Sequence, residues 1–419
     1  RHSVQLRRRE EMLMMTILWR LGRIALTAVV LPIAAALAFA SGAAAQGRTL
    51  VQLKAEVQAR ADRNAYPVNG LKPDEVREAL SRIHHLNDGE WAAAWSTLGD
   101  RYMAKAQAEL ASSPEQADKD FVQAWRYYDF GRWPAAFTPA KKKAYEKGLE
   151  AYRAHARLLH PPLDVLHIPF EGNEIVAYLQ LPARPKPAPV VIVMAGLDQR
   201  KEQMAERFRL LLNDGVGYLA VDSPGTGQAP IKAAPGAERM LSRVIGYLYQ
   251  RPDIDHRHIV AYGASYGGYW STVLAFTEKN RLCGVVSQSP PVDAFFQRAS
   301  TMEIPHNREY LFDYLPAHLR MFGVQNIDQL ADVQEKMSLK ARGLLGRPSA
   351  PMLVIAGALD TQVPISDTDL LLNSGQTPKD AWINPQGGHM GRQTNVWSGA
   401  RIFKLVTIPW ILRKVGTWK

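Results

Sequence analysis

His258-Ile259-Val260-Ala261-Tyr262-Gly263-Ala264-Ser265-Tyr266-Gly267-Gly268 is the stretch on which the fold turns. A short apolar run ends in glycine, a serine follows two positions later, and two more glycines open an amphipathic segment, 266–278. An apolar run of this length bounded by glycine reads as a buried strand, and the amphipathic segment as a helix. Gly-x-Ser-x-Gly between a strand and a helix is a nucleophile elbow. The turn is so tight that the residues flanking Ser265 must be tiny, hence Gly263 and Gly267. Ser265 is held in a strained backbone geometry that pushes its hydroxyl outward. The helix behind it directs N–H groups at a developing oxyanion.

Further apolar runs lie on either side, at 190–195, 218–221, 284–287 and 352–356. Amphipathic segments such as 201–213 and 237–250 separate them. Continuous apolar strands alternating with helices predict an α/β fold whose mostly parallel, doubly wound sheet is covered on both faces. Ahead of these, 165–170 and 175–181 flank Glu171-Gly172-Asn173, a hairpin signal. A last helix is expected over 397–415. From residue 47 to about 160 the periodicity is helical, with Trp91, Trp95 and Tyr102, then Phe121, Trp125 and Tyr128, as a core stripe. Pro114 and Pro139 mark helix starts, and Pro161-Pro162 marks a boundary. The segment 290–349 is rich in Phe, Met, Tyr and Leu and reads as a helical insertion. It would lie over the carboxyl ends of the strands, where such sheets bind ligands, and so act as a lid.

A serine needs a base to become a nucleophile. In a strand–elbow–helix setting the chain order is Ser, acid, His. Asp360 follows the run at 352–356 and therefore sits at a strand's carboxyl end. His389 follows a short strand at 381–383, in the glycine-rich loop Asn384-Pro385-Gln386-Gly387-Gly388-His389. Asp293 is the reserve candidate for the acid. The oxyanion hole is assigned to the backbone N–H groups of Leu197, in Gly196-Leu197-Asp198, and of Tyr266. The glycine-rich Asp222-Ser223-Pro224-Gly225-Thr226-Gly227-Gln228 lacks the Lys-Ser/Thr ending of a phosphate loop and reads as a tight turn. No metal-ligand spacing and no cofactor motif is found. The chemistry implied is Ser-His-Asp hydrolysis of a small-molecule substrate.

These pieces resemble the α/β-hydrolase superfamily, and within it the FrsA-like esterases and the 2,6-dihydroxypseudooxynicotine hydrolase group. The resemblance covers about residues 90–415. It is carried by Trp125-Arg126-Tyr127-Tyr128, Ile168-Pro169-Phe170-Glu171-Gly172, Gly196 with Lys201-Glu202, and Val221-Asp222-Ser223-Pro224-Gly225. The elbow, Leu359-Asp360 and Gly388-His389 complete it. The resemblance implies Ser265, Asp360 and His389 as the triad and an N-terminal helical domain that caps the site. It also implies cleavage of a carboxylic ester or, in some members, of a carbon–carbon bond in β-diketone-like substrates. Ser223 after Asp222 and Gln228-Ala229 after Gly227 depart from the Gly-Pro-Gly-Gln-Gly-Glu more usual in relatives. Gly263 to Tyr269, with Asp360-Thr361-Gln362-Val363-Pro364, also looks like the prolyl oligopeptidase catalytic domain. The helical region ahead of Pro161 is too short for the β-propeller those peptidases carry. A non-catalytic binding protein is the remaining alternative, and the presence of all three triad residues argues against it.

Composition narrows the rest. The 419 residues are 47% hydrophobic and 22% charged, an ordinary globular balance. Of the net charge of +11, the first 23 residues supply four through six Arg against two Glu. The remainder is spread evenly, which gives no support to nucleic-acid binding. The lone cysteine, Cys283, permits no intrachain disulfide and reads as a small core residue. Arg7, Arg8, Arg9, Arg20 and Arg23 precede an apolar run, 24–40, and then Ser41-Gly42-Ala43-Ala44-Ala45-Gln46. This reads as an export signal cleaved after Ala45, with initiation at Met12, Met14 or Met15, and an exported, periplasmic or secreted protein. The alternative is an uncleaved anchor. No membrane association is expected beyond that signal. The division expected is 1–45 signal, 46–160 helical cap and 161–419 α/β-hydrolase domain, with 290–349 as its lid. Oligomeric state is left open, a homodimer being one outcome.

Overall fold

The structure, a computed structural model, describes residues 47–417; the expected export signal at 1–45 lies outside the described residues. Five helices come first: α1 (Leu50–Asp62), α2 (Pro73–Ser81), α3 (Asp88–Glu109), α4 (Pro114–Arg132) and α5 (Pro139–Ala156). Their starts follow local chemistry. Thr49, Asn87 and Thr138 cap α1, α3 and α5 through their side chains, and Pro114 and Pro139 stand in first turns, where a missing N–H costs nothing. The aromatic stripe is core, since Trp91, Trp95, Tyr102, Phe121, Trp125 and Tyr128 are all buried. Helices α3 and α4 approach so closely that a Cβ on Gly99 would lie 2.5 Å from the Tyr128 ring.

Eight strands follow: β1 (Leu163–Phe170), β2 (Asn173–Gln180), β3 (Ala188–Met194), β4 (Gly217–Val221), β5 (Ile254–Ala264), β6 (Gly284–Gln288), β7 (Met352–Gly357) and β8 (Lys379–Asn384). They form one sheet in the order β1-β2-β4-β3-β5-β6-β7-β8. The pairs β1/β2 and β2/β4 are antiparallel and the others parallel. Glu171 and Gly172, with φ of 47° and 76°, make the tight turn between β1 and β2. Strands β3, β4, β6 and β7 are buried along their whole lengths, as two-sided coverage requires. The chain winds from β3 outward to β4 and then returns to β5 on the other flank of β3. That reversal opens a crevice beyond the carboxyl ends of β3 and β5.

The covering helices are α6 (Lys201–Phe208), α7 (Glu238–Leu248) and α8 (Tyr266–Thr277). After β6 come α9 (Arg298–Met302), α10 (Tyr314–Phe322) and α11 (Ile327–Glu335). Then α12 (Ile365–Leu372), α13 (Gly399–Ile402) and α14 (Ile408–Lys414) complete the chain. Three expectations need amendment. The segment 201–213 is not one helix: α6 tightens into a 3₁₀ turn over Arg209–Asp214 and stops at Gly215, φ 76°. The insertion at 290–349 is three short helices joined by turns, because Pro305 and the left-handed Gly323 interrupt it. The terminal helix begins at Gly399 and widens to a π turn over Phe403–Thr407, just before Pro409, which has no N–H to donate. Cys283 is half-buried rather than fully enclosed, and burial pushes its thiol up to about 11, so it stays protonated. Among the described residues no helix is long and apolar enough to cross a membrane.

From Arg48 onward the chain is one compact unit, and buried charge joins its N-terminal helices to one another, to α6 and to the start of α10. Lys141 of α5, fully buried, pairs with Asp88 at 2.7 Å and with Asp313 at 2.8 Å. His155 of α5, 1% exposed, pairs through Nδ1 with Asp118 of α4 at 2.6 Å and through Nε2 with Glu206 of α6 at 3.1 Å. Burial alone would lower the His155 pKa, but the two carboxylates outweigh it and raise it to about 9. A raised histidine pKa means the protonated ring stabilises the fold. That contribution is complete below the unfolded value, about 6.5, and is lost as pH rises through about 9. Thermal melting followed from pH 6.5 to 9.5 should show wild type losing up to about 3 kcal/mol relative to His155→Gln. Parallel pH curves for the two proteins would refute the charged-clamp reading.

Candidate active site

Ser265 stands between β5 and α8 with φ 56° and ψ −121°. Glycine makes that turn sterically feasible. A Cβ on Gly263 would collide with the Gly267 carbonyl oxygen. One on Gly267 would lie 2.5 Å from the Met194 carbonyl oxygen, and one on Gly268 2.8 Å from that of Gln288. The turn is therefore pressed against the ends of both β3 and β6. The Ser265 N–H donates to the Gln288 carbonyl at 2.8 Å. The loop after β3 runs across the serine: a Cβ on Gly196 would be 3.0 Å from Ser265 Cβ and 3.4 Å from Oγ. The N–H groups of Leu197 and Tyr266 flank this point and donate to no backbone acceptor recorded among the described residues. Tyr266 is the first residue of α8, so its N–H has no partner within the helix.

Asp360 and His389 lie in the loops after β7 and β8. Gly357 has no room for a side chain against the carbonyls of Gly387 and Gly388, and Leu359 N–H donates to Gly387 O at 2.8 Å, so the two loops are packed together. His389 Nδ1 meets Asp360 Oδ2 at 2.8 Å. Asp360 Oδ1 accepts the N–H groups of Gln362 and Val363, each at 2.9 Å. Burial would raise the Asp360 pKa, but His389 and the two amides more than compensate and lower it, keeping the carboxylate ionised. An ionised acceptor places the imidazole proton on Nδ1 and leaves Nε2 with its lone pair. The reserve acid, Asp293, bonds Ser338 Oγ at 2.5 Å and Gln297 Nε2 at 3.0 Å, not the histidine.

Ser265 Oγ has no hydrogen-bond partner recorded among the described residues; its link to the histidine loop runs through Gln288. The Gln288 carbonyl holds the Ser265 N–H, its Nε2 donates to Met390 O at 2.8 Å, and its Oε1 accepts from Tyr262 OH at 2.6 Å. Ser289 Oγ accepts the Met390 N–H at 2.9 Å. Gln288 thus holds the elbow through its backbone carbonyl, and β5 and the histidine loop through its side-chain amide. Nothing in the sequence marks Gln288 except its place at a strand end.

A narrow cleft at Ser265 lies between Leu197, Tyr266, Phe295, Tyr310, Tyr314 and Val363. The N-terminal region fastens its roof. Arg48 donates to the carbonyls of Arg308 and Tyr310 at 2.6 and 2.7 Å, and Arg60 to that of Glu309 at 3.0 Å. The Glu309 carboxylate accepts from Thr361 Oγ1 at 2.5 Å and from Gln362, both beside Asp360. Asp198, next to Leu197, accepts from Tyr66 OH and from Trp133 Nε1, the latter at 3.0 Å, and burial pushes its carboxyl up to about 6. Behind them Lys201 Nζ lies 2.8 Å from Glu202 and 3.2 Å from Asp222. Asp222 also accepts the N–H groups of Lys201 and Gln228, each at 2.9 Å, so the glycine-rich 222–228 segment is a braced turn. Sequence reasoning missed the role of Asp198, of Arg48 and of the Tyr310–Tyr314 roof, because each depends on partners far along the chain.

Comparison with known proteins agrees with this architecture. A family model described as Esterase FrsA-like matches residues 69–386. The chain is 27% identical over 323 residues to the esterase FrsA of Vibrio vulnificus strain YJ016, covering 72% of this chain and 76% of that protein. It is 27% identical over 333 residues to that of Serratia proteamaculans, covering 74% and 79%. Among solved structures, a 2,6-dihydroxy-pseudo-oxynicotine hydrolase superposes with a TM-score of 0.70 at 21% identity, covering 83% of this chain and 94% of that one. AbyA5 superposes with a TM-score of 0.66 at 19% identity, covering 88% and 95%. At these identities the structural likeness speaks for the α/β-hydrolase fold alone.

If the Gln288 amide sets the spacing between Ser265 and the histidine loop, Gln288→Ala slows covalent labelling of Ser265 by a fluorophosphonate about tenfold or more. An unchanged labelling rate in a variant that melts normally would remove that role.

Proposed function

The chain belongs to the FrsA-like esterase family and is a hydrolase, and we propose that it cleaves a carboxylic ester of a small molecule through an acyl-enzyme on Ser265. The reading is carried by the His389–Asp360 pair, 2.8 Å apart, in loops packed beside an elbow whose serine has φ 56°. In this mechanism Ser265 Oγ attacks the acyl carbonyl and His389 Nε2 takes the hydroxyl proton. The ionised Asp360 holds the ring's orientation and stabilises the imidazolium that forms. The N–H groups of Leu197 and Tyr266 receive the oxyanion, a contribution of roughly 3 kcal/mol for each donor. His389 then returns the proton to the leaving alcohol, and water activated by the same ring clears the acyl-enzyme.

The roof of Tyr310, Tyr314 and Phe295 favours an ester with apolar or aromatic character next to the scissile bond. Residues 46–160 serve as the cap in this reading. Its support is that Tyr66, Trp133 and Arg132 all bond Asp198, the neighbour of Leu197. The basic flank, apolar run and small residues at 43–45 support export to the periplasm or the medium.

Purified protein should hydrolyse short-chain aryl esters, and Ser265→Ala should lose at least about a thousandfold in kcat/KM. A panel with β-diketones and peptides beside the esters tests the bond class. Turnover that survives the substitution would take Ser265 out of the chemistry.

A further inference from the structure

A second cavity, of about 230 Å³, lies beyond Leu197, which forms part of both walls. It is enclosed by the α4–α5 region, the loops after β3 and β4, and helix α10. Arg200, Lys232 and Arg320 line it, and no acidic residue does. None of the three forms an ion pair recorded among the described residues.

Arg200 is the telling member. It is 3% exposed, and the hydrogen bonds recorded for its guanidinium all go to backbone carbonyls: Leu197 at 3.0 Å, Gln199 at 2.8 Å and Pro134 at 3.3 Å. A guanidinium has five N–H donors, so donors remain. The neighbouring carboxylate of Asp222 is engaged by Lys201 and two main-chain amides. Among the described residues the hydrogen bond recorded for Lys232 goes to the Arg320 carbonyl, at 3.1 Å, and burial together with the Arg320 charge lowers its pKa. Tyr145, on the same wall, has a buried hydroxyl with no hydrogen-bond partner. A desolvated guanidinium held only by main-chain carbonyls is costly even with the Asp222 and Asp129 charges nearby, and so is an unmade buried O–H bond. One bound anion would relieve both.

We propose that this cavity receives a carboxylate carried by the ester that Ser265 opens, so that the enzyme prefers an acidic substrate. The proposal rests on the hydrolase reading and adds the substrate's charge to it. The guanidinium of Arg200 and the Tyr145 hydroxyl donate to the carboxylate oxygens, while Lys232 and Arg320 supply charge at the mouth. Helix α10 borders both spaces. Tyr314 faces the Ser265 cleft, while Ala317 and Met321 face the cavity one and two turns later, about 5–10 Å along the helix. A short dicarboxylate half-ester, or an ester whose leaving group bears a carboxylate, has a length of that order.

The test uses two pairs of esters. 4-Nitrophenyl hemiglutarate against 4-nitrophenyl butyrate places the charge on the acyl half, and 4-carboxyphenyl butyrate against phenyl butyrate places it on the leaving half. The expected result is a preference in kcat/KM of at least about tenfold for the charged member of one pair. That preference should fall about tenfold or more in Lys232→Ala/Arg320→Ala and shrink as salt screens the charges. No preference in either pair, or a preference the double variant leaves intact, overturns the proposal. If no ester is hydrolysed at all, the Ser265 reading fails on its own. Calorimetric titration with glutarate then decides the cavity: binding abolished by the double variant upholds the anion site, and absence of binding overturns it.

Discussion

Three glycines leave open the space in which the β5–α8 turn closes, and the rest of the site depends on that closure. With side chains at 263, 267 and 268 the turn would strike itself, the end of β3 and the end of β6. Without them Ser265 can hold φ 56° while its N–H reaches Gln288 and its Cβ lies against Gly196. Backbone strain at one residue is sustained because packing from three strands over-determines it. The same closeness makes the loop after β3 a neighbour of Ser265, as the winding reversal between β3 and β5 demands.

Around this apolar, sterically dictated centre stands a frame of buried polar groups. Asp367 on α12 accepts four successive main-chain N–H groups, from Val292 to Phe295, and so fixes the path that leaves β6. Burial raises its pKa even so. Lys201 and Asp222 brace the loops after β3 and β4, and Lys141 and His155 tie the helices of the N-terminal region to the roof and to α6. Each of these charges is expensive to bury and tolerable only when its partners are in place, so the frame confers uniqueness of arrangement more than net stability. Arg200 lines a cavity and forms no ion pair recorded among the described residues.

Legibility in the sequence follows the range of each interaction. The strands could be read because two-sided burial writes an unbroken apolar run, as in Val190 to Met194. The elbow could be read because its steric demand falls within five consecutive residues. Asp360 and His389 could be named because chain order and strand-end position narrow the choice, and the structure brings those two together. Gln288 could not, since its Met390 partner is 102 positions away. Nor could the roof, whose fastening joins Arg48 to Tyr310 across 262 positions and Lys141 to Asp313 across 172. The broken helices of 290–349 and the π turn before Pro409 depend on packing as much as on local preference.

What the chain dictates by itself is therefore what acts over a few residues: periodicity, turn sterics, and the order in which Ser265, Asp360 and His389 appear. Tertiary structure alone decided which distant loops meet, how the aromatic roof closes, and which buried charges find counter-charges. Those outcomes depend on desolvation and on contacts between segments, and a carboxylate or guanidinium has the same letter in the sequence whether its partner is present or missing.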